Sequence, residues 1–246
     1  MTTCVEVCVD SSESLRQALL GGANRIELCA SLHLGGLTPS DGFMQQAVRI
    51  STVPVYAMIR PRQGDFLYSD DDIEVMLSDI HGAKQRGLAG IVVGSLTPEG
   101  FVNEAILRQL VRAADGMGVT FHRAIDQSRN PMEALEIIAS IGCERVLTSG
   151  CAESALEGAT VIKDMVNTFG SHLNIMAGGG VTAENVRGII AASGVSEVHL
   201  SGKTTRPSGM TYTTADASMG AVDVNDYSIA VTCAKKVKAV VSACNK

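Results

Sequence analysis

Four polar residues of the kinds that transfer protons and bind anions lie in or just after apolar runs: Glu27, Arg60, His122 and Asp126. Histidine exchanges a proton near neutral pH and acts as a general acid or base. Arginine binds a carboxylate or phosphate through two parallel hydrogen bonds. The carboxylates of Glu27 and Asp126 are suited to orient the histidine or to bind a divalent ion. These residues predict a catalytic pocket for a small anion, with the reaction class left open.

A glycine run, Gly178, Gly179 and Gly180, ends one apolar run and precedes a helical pattern. Glycines let backbone N–H groups approach an anion closely, and a helix N-terminus adds favourable partial charge. Lys203 and Arg206 follow the next apolar run and supply positive charge. Together these residues predict an anion-binding site. Tight backbone packing at the glycines is the alternative that the sequence leaves open.

Two cysteines, Cys8 and Cys29, lie in successive β-like runs. Neighbouring strands are about 4.8 Å apart, so the sulfurs can meet if the register allows it. Two thiolates suit a soft ion such as Cu(I), and the thioether of Met58 is a possible third donor. The alternative is that both cysteines behave as small buried hydrophobic residues. The role of Cys151, near the same region, stays open.

The elements that position these residues alternate along the chain. Strands are predicted to begin at Val5, Arg25, Val53, Gly90, Val119, Arg145, Asn174 and Glu197. Apolar residues recur between them at three- and four-residue spacing, which indicates helices. Eight such units in about 250 residues predict one (β/α)8 TIM-type barrel of the α/β class over residues 1–246. A doubly wound open sheet is the rival, but SSESL after the first strand is not a GxGxxG turn.

The chain end departs from this pattern. Residues 203–225 are predicted as a long loop after the eighth strand, on the face where barrel enzymes keep their active sites. The last helix is predicted over residues 226–243.

Strand alternation predicts an unusually polar barrel interior. The inward side chains are expected to include Glu6, Arg25, Glu27, Arg60, His122, Asp126 and His199. Barrel interiors are normally filled with Val, Ile and Leu, and buried charges must be paired or meet a ligand. One interpretation is an internal network in which Glu6 and Glu27 neutralise Arg25 and Arg60. The other is a polar pocket at the C-terminal mouth of the barrel.

Composition excludes several classes of protein. The chain has 246 residues, 46% of them hydrophobic, and a formal net charge of −6. This charge, without any Lys/Arg run, argues against nucleic acid or an anionic membrane as partner. No apolar stretch approaches the ~18 residues of a membrane helix, and no signal peptide is expected. Seven cysteines without a CxxC pair favour a reducing cytoplasm.

Several blocks resemble the CutC copper-homeostasis family: EVCVDS from Glu6, GGANRIELCA from Gly21, MIRPR from Met58, TFHRAID from Thr120 and AGGGV from Ala177. They follow the family's order through most of the chain. The resemblance implies a TIM-type barrel, a cytoplasmic homo-oligomer and copper handling, with copper as Cu(I) bound by Cys8 and Cys29.

A copper site does not explain the polar residues that converge on the same mouth. The sequence therefore leaves two alternatives beside copper binding. One is an orphan barrel enzyme that acts on a small anionic or phosphorylated metabolite. The other is a non-catalytic oligomeric scaffold whose polar interior is only an ion-pair network.

Overall fold

Eight parallel strands close into a barrel. The computed structural model describes residues 3–214 and 225–245. The barrel strands are β1 (Cys4–Val9), β2 (Arg25–Leu28), β3 (Val55–Met58), β4 (Gly90–Val93), β5 (Gly118–Phe121), β6 (Arg145–Thr148), β7 (Asn174–Gly178) and β8 (Glu197–Leu200). Each strand pairs with the next, and β8 pairs with β1. The predicted (β/α)8 barrel is confirmed, and the open doubly wound sheet is excluded.

In the described ranges, eight α-helices follow the strands: α1 (Ser12–Leu20), α2 (Asp41–Ile50), α3 (Asp70–Gln85), α4 (Glu104–Ala113), α5 (Pro131–Ile141), α6 (Ala159–Phe169), α7 (Val186–Ser193) and α8 (Ala234–Cys244). Local sequence sets their starts. Ser69 and Asp72 form a reciprocal capping box at α3. Asn130 caps α5, with Pro131 in its first turn. Within these ranges, no helix has both the length and the apolar character needed to cross a bilayer.

The strands separate an apolar outer face from a polar inner face. Val5, Val7 and Val9 belong to the main core between sheet and helices. Each such side chain, when fully buried, contributes about 1.5–3 kcal/mol. The alternation ends at Phe121, because Arg123–Gln127 form a 3-10 helix. Asp126 is therefore positioned by this turn and not by strand geometry.

The C-terminal segment differs from the prediction. Lys203–Pro207, predicted as the start of a loop, is strand β9, and Ser228–Thr232, predicted as helix, is strand β10. The two pair antiparallel, because the β-branched run of β10 favours an extended conformation. Thr232 anchors the hairpin through its backbone N–H, which donates to Ser14 Oγ of α1 (3.1 Å). Residues 215–224 of the predicted loop lie outside the described residues.

Candidate functional site

The N-terminal end of the barrel is filled by ion pairs, which we call the floor network: Glu6, Arg25, Glu144, Arg145 and Glu197. Arg25 donates to Glu6 and to Glu197 Oε2, the latter at 2.5 Å. Arg145 donates to Glu197 Oε2 (2.6 Å) and to Glu144 Oε1 (2.8 Å). The predicted Glu6–Arg25 pair is present. Strand alternation also predicts that Glu197 faces inward, but its pairs with Arg25 and Arg145 were not predicted, and Arg145 was missed.

Tyr56 packs on the floor network. Its hydroxyl donates to Glu144 Oε1 (2.7 Å), and its ring centroid lies 5.6 Å from the guanidinium carbons of both Arg25 and Arg145. The ring fills the space beside Gly90 and Gly118, where any Cβ would lie closer than 3.0 Å to it. Glycine at these positions lets the barrel interior accept the aromatic ring.

Glu6 connects the floor to His199 in the upper half of the barrel. His199 Nδ1 donates to Glu6 Oε1 at 2.8 Å, and His199 Nε2 lies 3.8 Å from Glu27 Oε2. Burial alone would lower the pKa of His199, but Cys8, Glu27 and Glu6 outweigh it and raise the pKa well above its ordinary value. Burial likewise opposes ionisation of Glu6, but His199 and Arg25 outweigh it and lower its pKa to about 2. The contact with the Glu6 carboxylate therefore favours the protonated form of His199. It was expected to face inward but was not among the predicted catalytic residues.

Glu27 has one carboxylate oxygen engaged and one without a partner. Its Oε2 accepts a hydrogen bond from the Cys29 thiol (3.4 Å). Its Oε1 is buried and has no hydrogen-bond partner among the described residues. Burial raises the pKa of Glu27, an effect that the charge of His199 partly offsets. The predicted inward orientation of Glu27 leaves an acceptor at the barrel mouth.

Arg60 is held by backbone carbonyl groups. Its Nη1 donates to Leu34 O (3.0 Å) and Gly36 O (3.2 Å), and its Nη2 donates to Gly64 O (2.8 Å). Among the described residues, no carboxylate lies within ion-pair distance of Arg60, and its buried Nε makes no hydrogen bond of normal geometry. The Arg60 charge also acts on the Tyr68 hydroxyl, where it opposes the rise in pKa that burial causes. The interpretation in which Glu6 and Glu27 neutralise Arg25 and Arg60 is therefore wrong for Arg60.

His122 is a buried, neutral imidazole. Its Nδ1 accepts a hydrogen bond from the Ala124 N–H (3.1 Å), which places the proton of the neutral ring on Nε2. Burial, reinforced by the charge of Arg60, lowers the pKa of His122 to about 3. Nε2 is buried and has no partner among the described residues. A Cβ at Gly94 would overlap the ring, so glycine is required there.

Asp126 organises the loop after β6. Its carboxylate accepts from the backbone N–H groups of Ser149 (3.0 Å) and Cys151 (3.2 Å), and from the hydroxyl of Thr148 (2.5 Å). It also pairs with Arg123 Nε at 2.8 Å. These contacts occupy the carboxylate oxygens of Asp126, which therefore holds the loop after β6 in place. Cys151, held at a φ of +59°, lies at the edge of the same mouth.

The three glycines of the run have two different roles. Gly178 ends β7 in contact with Leu147 and His199, where a Cβ would crowd both side chains. Gly179 and Gly180 have φ values of +109° and +71° and line the mouth. Helix α7 begins only at Val186, so the glycines do not form its first turn.

The two cations predicted beside the glycines lie apart from each other. Arg206 pairs with Glu13 of α1 at 2.8 Å. Lys203 is exposed and lines a side cavity of about 430 Å³ that also includes Gly180. Lys236 lines this cavity too, and its Nζ donates to Lys203 O (2.8 Å). Lys236 was not predicted to lie here, because it is on α8, far along the chain from the glycines.

One cavity of about 600 Å³ occupies the C-terminal mouth of the barrel. It brings together the four predicted catalytic residues, one predicted metal ligand, two of the three glycines, and a histidine that was predicted to face inward but not to be catalytic. They are Glu27, Arg60, His122, Asp126, Cys8, Gly179, Gly180 and His199.

Three possible metal donors also meet inside this mouth. Cys8 Sγ, a carboxylate oxygen of Glu27 and a ring nitrogen of His199 all lie within 4.8 Å of one another. Strand register explains this, because Cys8 pairs with Glu27 across β1 and β2. Cys29 lies two residues further along, and packs with Cys8 and Met58 in one apolar cluster. Burial raises the pKa of the Cys8 thiol and raises that of Cys29 well above its ordinary value.

Comparison with known proteins gives the family. The CutC family model matches residues 3–204. A CutC family protein of Photobacterium profundum is 56% identical over 243 residues, covering 99% of each chain, and one of Vibrio campbellii is 54% identical over 247 residues, covering all of both. The crystal structure of the putative copper homeostasis protein CutC from Streptococcus agalactiae has a TM-score of 0.77 and 31% identity, covering 80% of this chain and 97% of that one.

A more distant likeness concerns the fold alone. A phosphoribosylanthranilate isomerase of Thermotoga maritima has a TM-score of 0.59 at 11% identity, covering 99% of this chain and 98% of that one. Barrel architecture is thus shared with remote enzymes, whereas sequence similarity along nearly the whole chain is shared with the relatives above. The chain belongs to the CutC family.

Proposed function

We propose that the barrel mouth binds a small organic anion as the substrate of an enzyme. The observation that carries this proposal is a set of three buried polar atoms without partners, all on residues that line one cavity: Glu27 Oε1, Arg60 Nε and His122 Nε2. Leaving such a group unsatisfied costs about 1–3 kcal/mol, so each one calls for a ligand or water.

The two donors lie near the same aromatic ring. The Phe66 ring centroid is 4.8 Å from that of His122 and 5.2 Å from the Arg60 guanidinium carbon. A guanidinium and an imidazole N–H that line one cavity suit a carboxylate or phosphate, since charge-assisted hydrogen bonds to such anions are stronger than neutral ones. A cavity of about 600 Å³ is within the ~300–1,000 Å³ range typical of small-molecule sites.

The test is a melting-temperature screen with pyruvate, hydroxypyruvate, dihydroxyacetone phosphate, glycerol 3-phosphate and inorganic phosphate. An anion at 100 times its Kd stabilises the fold by about 2.7 kcal/mol, which raises Tm by about 5–10 °C in a chain of this size. Arg60→Met should weaken binding about 10- to 100-fold, because it removes a charged hydrogen-bond donor.

Arg62→Met is the matched control, since Arg62 is on the same loop but pairs with Asp65 (3.0 Å) and Asp72 (3.3 Å). It should bind the anion as the wild type does. The proposal fails if no anion shifts the melting temperature, or if both arginine variants weaken binding equally.

The setting that we propose is cytoplasmic. All seven cysteines are free, which suits a reducing compartment. The net charge of −6 favours neither nucleic acid nor an anionic membrane as partner. We further propose that residues 1–246 form one domain and that the chain assembles as a homo-oligomer, as the family resemblance implies.

A second candidate function is Cu(I) binding in copper homeostasis, through Cys8 and Cys29. It is favoured by the cluster of Cys8, Glu27 and His199 and by the description of the Streptococcus agalactiae relative as a putative copper homeostasis protein. Sulfur and imidazole donors fit Cu(I), whereas the Glu27 carboxylate is a harder ligand. The metal must also displace the protons of Cys8 and His199.

An anaerobic Cu(I) titration against a chromophoric competitor tests this candidate. Cys8→Ser should abolish a tight site of about one ion, because the Cys8 sulfur lies within 4.8 Å of donor atoms of both Glu27 and His199. If Cu(I) binding is lost in Cys29→Ser as well, the result supports the two-cysteine site. If binding is lost in Cys8→Ser alone, the result supports a site formed by Cys8 and His199. Unchanged binding in both variants would reject copper binding by these cysteines.

A further inference from the structure

An unpartnered acceptor and an unpartnered donor lie on opposite sides of the barrel mouth. Glu27 is on β2, and His122 follows β5, three strands away around a barrel of eight. Glu27 is 3% exposed and His122 is 4% exposed. Both line the same cavity, with Glu27 Oε1 and His122 Nε2 lacking partners among the described residues. A ligand between them would receive a hydrogen bond on one side and meet a carboxylate oxygen on the other.

The His122 side is arranged to polarise an oxygen atom without protonating it. The backbone N–H of Ala124 fixes the ring so that Nε2 carries the proton. A neutral imidazole in this state can stabilise negative charge that develops on a carbonyl oxygen. The guanidinium of Arg60, which also packs on Phe66 and has an unpartnered Nε, provides a cation for an anionic group of the same ligand.

The Glu27 side is arranged to present a single oxygen atom. Its Oε2 is occupied by the Cys29 thiol (3.4 Å) and faces His199 Nε2 at 3.8 Å. His199 is in turn positioned by Glu6 at 2.8 Å, and Glu6 is anchored to Arg25 in the floor network. The Glu27 carboxylate is therefore oriented by contacts to its Oε2, and Oε1 is left for the ligand.

We infer that the mouth enolises a small α-hydroxy carbonyl compound that bears a carboxylate or phosphate, with Glu27 as the base and His122 as the donor to the carbonyl oxygen. This inference rests on the proposed function and names its substrate class and reaction. Glu27 and His122 are the catalytic residues, and Glu6 and His199 are positioning residues.

The step balances without an oxidant or reductant. The C–H bond next to the carbonyl breaks, and its proton moves to Glu27 Oε1. The electron pair of that bond forms a carbon–carbon double bond, while the carbonyl π pair moves to oxygen and accepts hydrogen bonds from His122 and Arg60. Reversal returns a proton from Glu27 to carbon. In heavy water, exchange at Glu27 replaces that proton with deuterium.

The experiment uses NMR in heavy water to follow the loss of the signals of the CH2OH protons next to the carbonyl of hydroxypyruvate and dihydroxyacetone phosphate. In one of these probes, the wild type should exchange hydrogen for deuterium faster than buffer alone does. Exchange in hydroxypyruvate would indicate a carboxylate substrate, and exchange in dihydroxyacetone phosphate would indicate a phosphorylated one. Glu27→Gln should slow exchange by about 100-fold or more. His122→Phe should slow it by about 100-fold, whereas His122→Gln, which keeps an N–H donor, should recover part of the rate.

Glu104→Gln on the exposed face of α4 is the control for the glutamate substitution and should leave exchange unchanged. Melting temperatures establish that each variant is folded and binds the probe. Binding without faster exchange, or exchange unaffected by Glu27→Gln, would overturn the inference but not the proposed function. If other anions bind but neither probe does, the enolisation inference again fails and the proposed function stands. If no anion binds, both the inference and the proposed function fail.

Discussion

Replacing Arg25 with methionine is expected to destabilise the fold by about 3–5 kcal/mol, because breaking a buried ion pair leaves uncompensated charge. Arg25 is the partner that Glu6 and Glu197 share at the barrel floor. Methionine retains much of the apolar stem, so the loss reports mainly on charge. The measurement is chemical unfolding at pH 7, with the variant compared to the wild type.

Arg86→Met is the control, since Arg86 pairs with Asp41 on the surface at 2.6 Å. A surface pair is worth about 0–1 kcal/mol, so this variant should lose little stability.

The pH dependence of the free energy of unfolding provides a second test of the floor network. The pKa of Glu6 falls from 4.5 to about 2 in the folded state, so its contribution to stability is present above pH 4.5 and is lost as the pH falls toward 2. The difference between wild type and Arg25→Met should therefore narrow on acidification. Equal losses in the two arginine variants at pH 7 would contradict the floor network.

Gly158→Ala is expected to cost about 3 kcal/mol, near the upper end of overpacking effects. A Cβ at Gly158 would lie closer than 3.0 Å to the backbone of both Ser149 and Gly150, which cannot rotate away as a side chain can. This contact holds the loop whose Ser149 and Cys151 N–H groups bind Asp126. Chemical unfolding gives the loss, and the anion affinity of the mouth should fall with it.

Gly82→Ala provides the matched control for this substitution. Gly82 lies in α3, and nothing approaches within 4 Å of the position of its Cβ. Alanine in a helix is favoured over glycine by about 0.5–1 kcal/mol, so this variant should be slightly more stable than the wild type. If Gly158→Ala were as stable as Gly82→Ala, the backbone contact would have no energetic role.

The barrel could be predicted from sequence because its signal is repeated and local. Val5, Val7 and Val9 alternate with Glu6 and Cys8, and similar alternation recurs around the sheet. The β9–β10 hairpin was missed because five residues, SIAVT, give too short a pattern to separate strand from helix. Its formation depends on contacts distant in the chain, such as Thr232 with Ser14.

The polar residues that line the barrel mouth could be predicted, but their hydrogen-bond and ion-pair partners could not. Side-chain type and alternation were enough to select Glu27, Arg60 and His122. Pairing depends on register and on loops: β1–β2 register places Glu27 and not Cys29 opposite Cys8, and three loop carbonyls hold Arg60 in place of a carboxylate. The tautomer of His122 follows from a single backbone N–H, that of Ala124, which no sequence pattern specifies.

The proposed anion site depends on His122 and Arg60 as unpartnered donors in the barrel mouth. The most direct test is NMR of protein labelled with ¹⁵N-histidine, titrated with hydroxypyruvate and with the His122→Phe variant used for assignment. We predict that His122 stays neutral with its proton on Nε2 from pH 7 to pH 5, and that its Nε2 signal shifts on ligand addition in the wild type but far less in Arg60→Met. A His122 that titrates near its ordinary pKa, or an Nε2 signal that no anion shifts, would contradict the account.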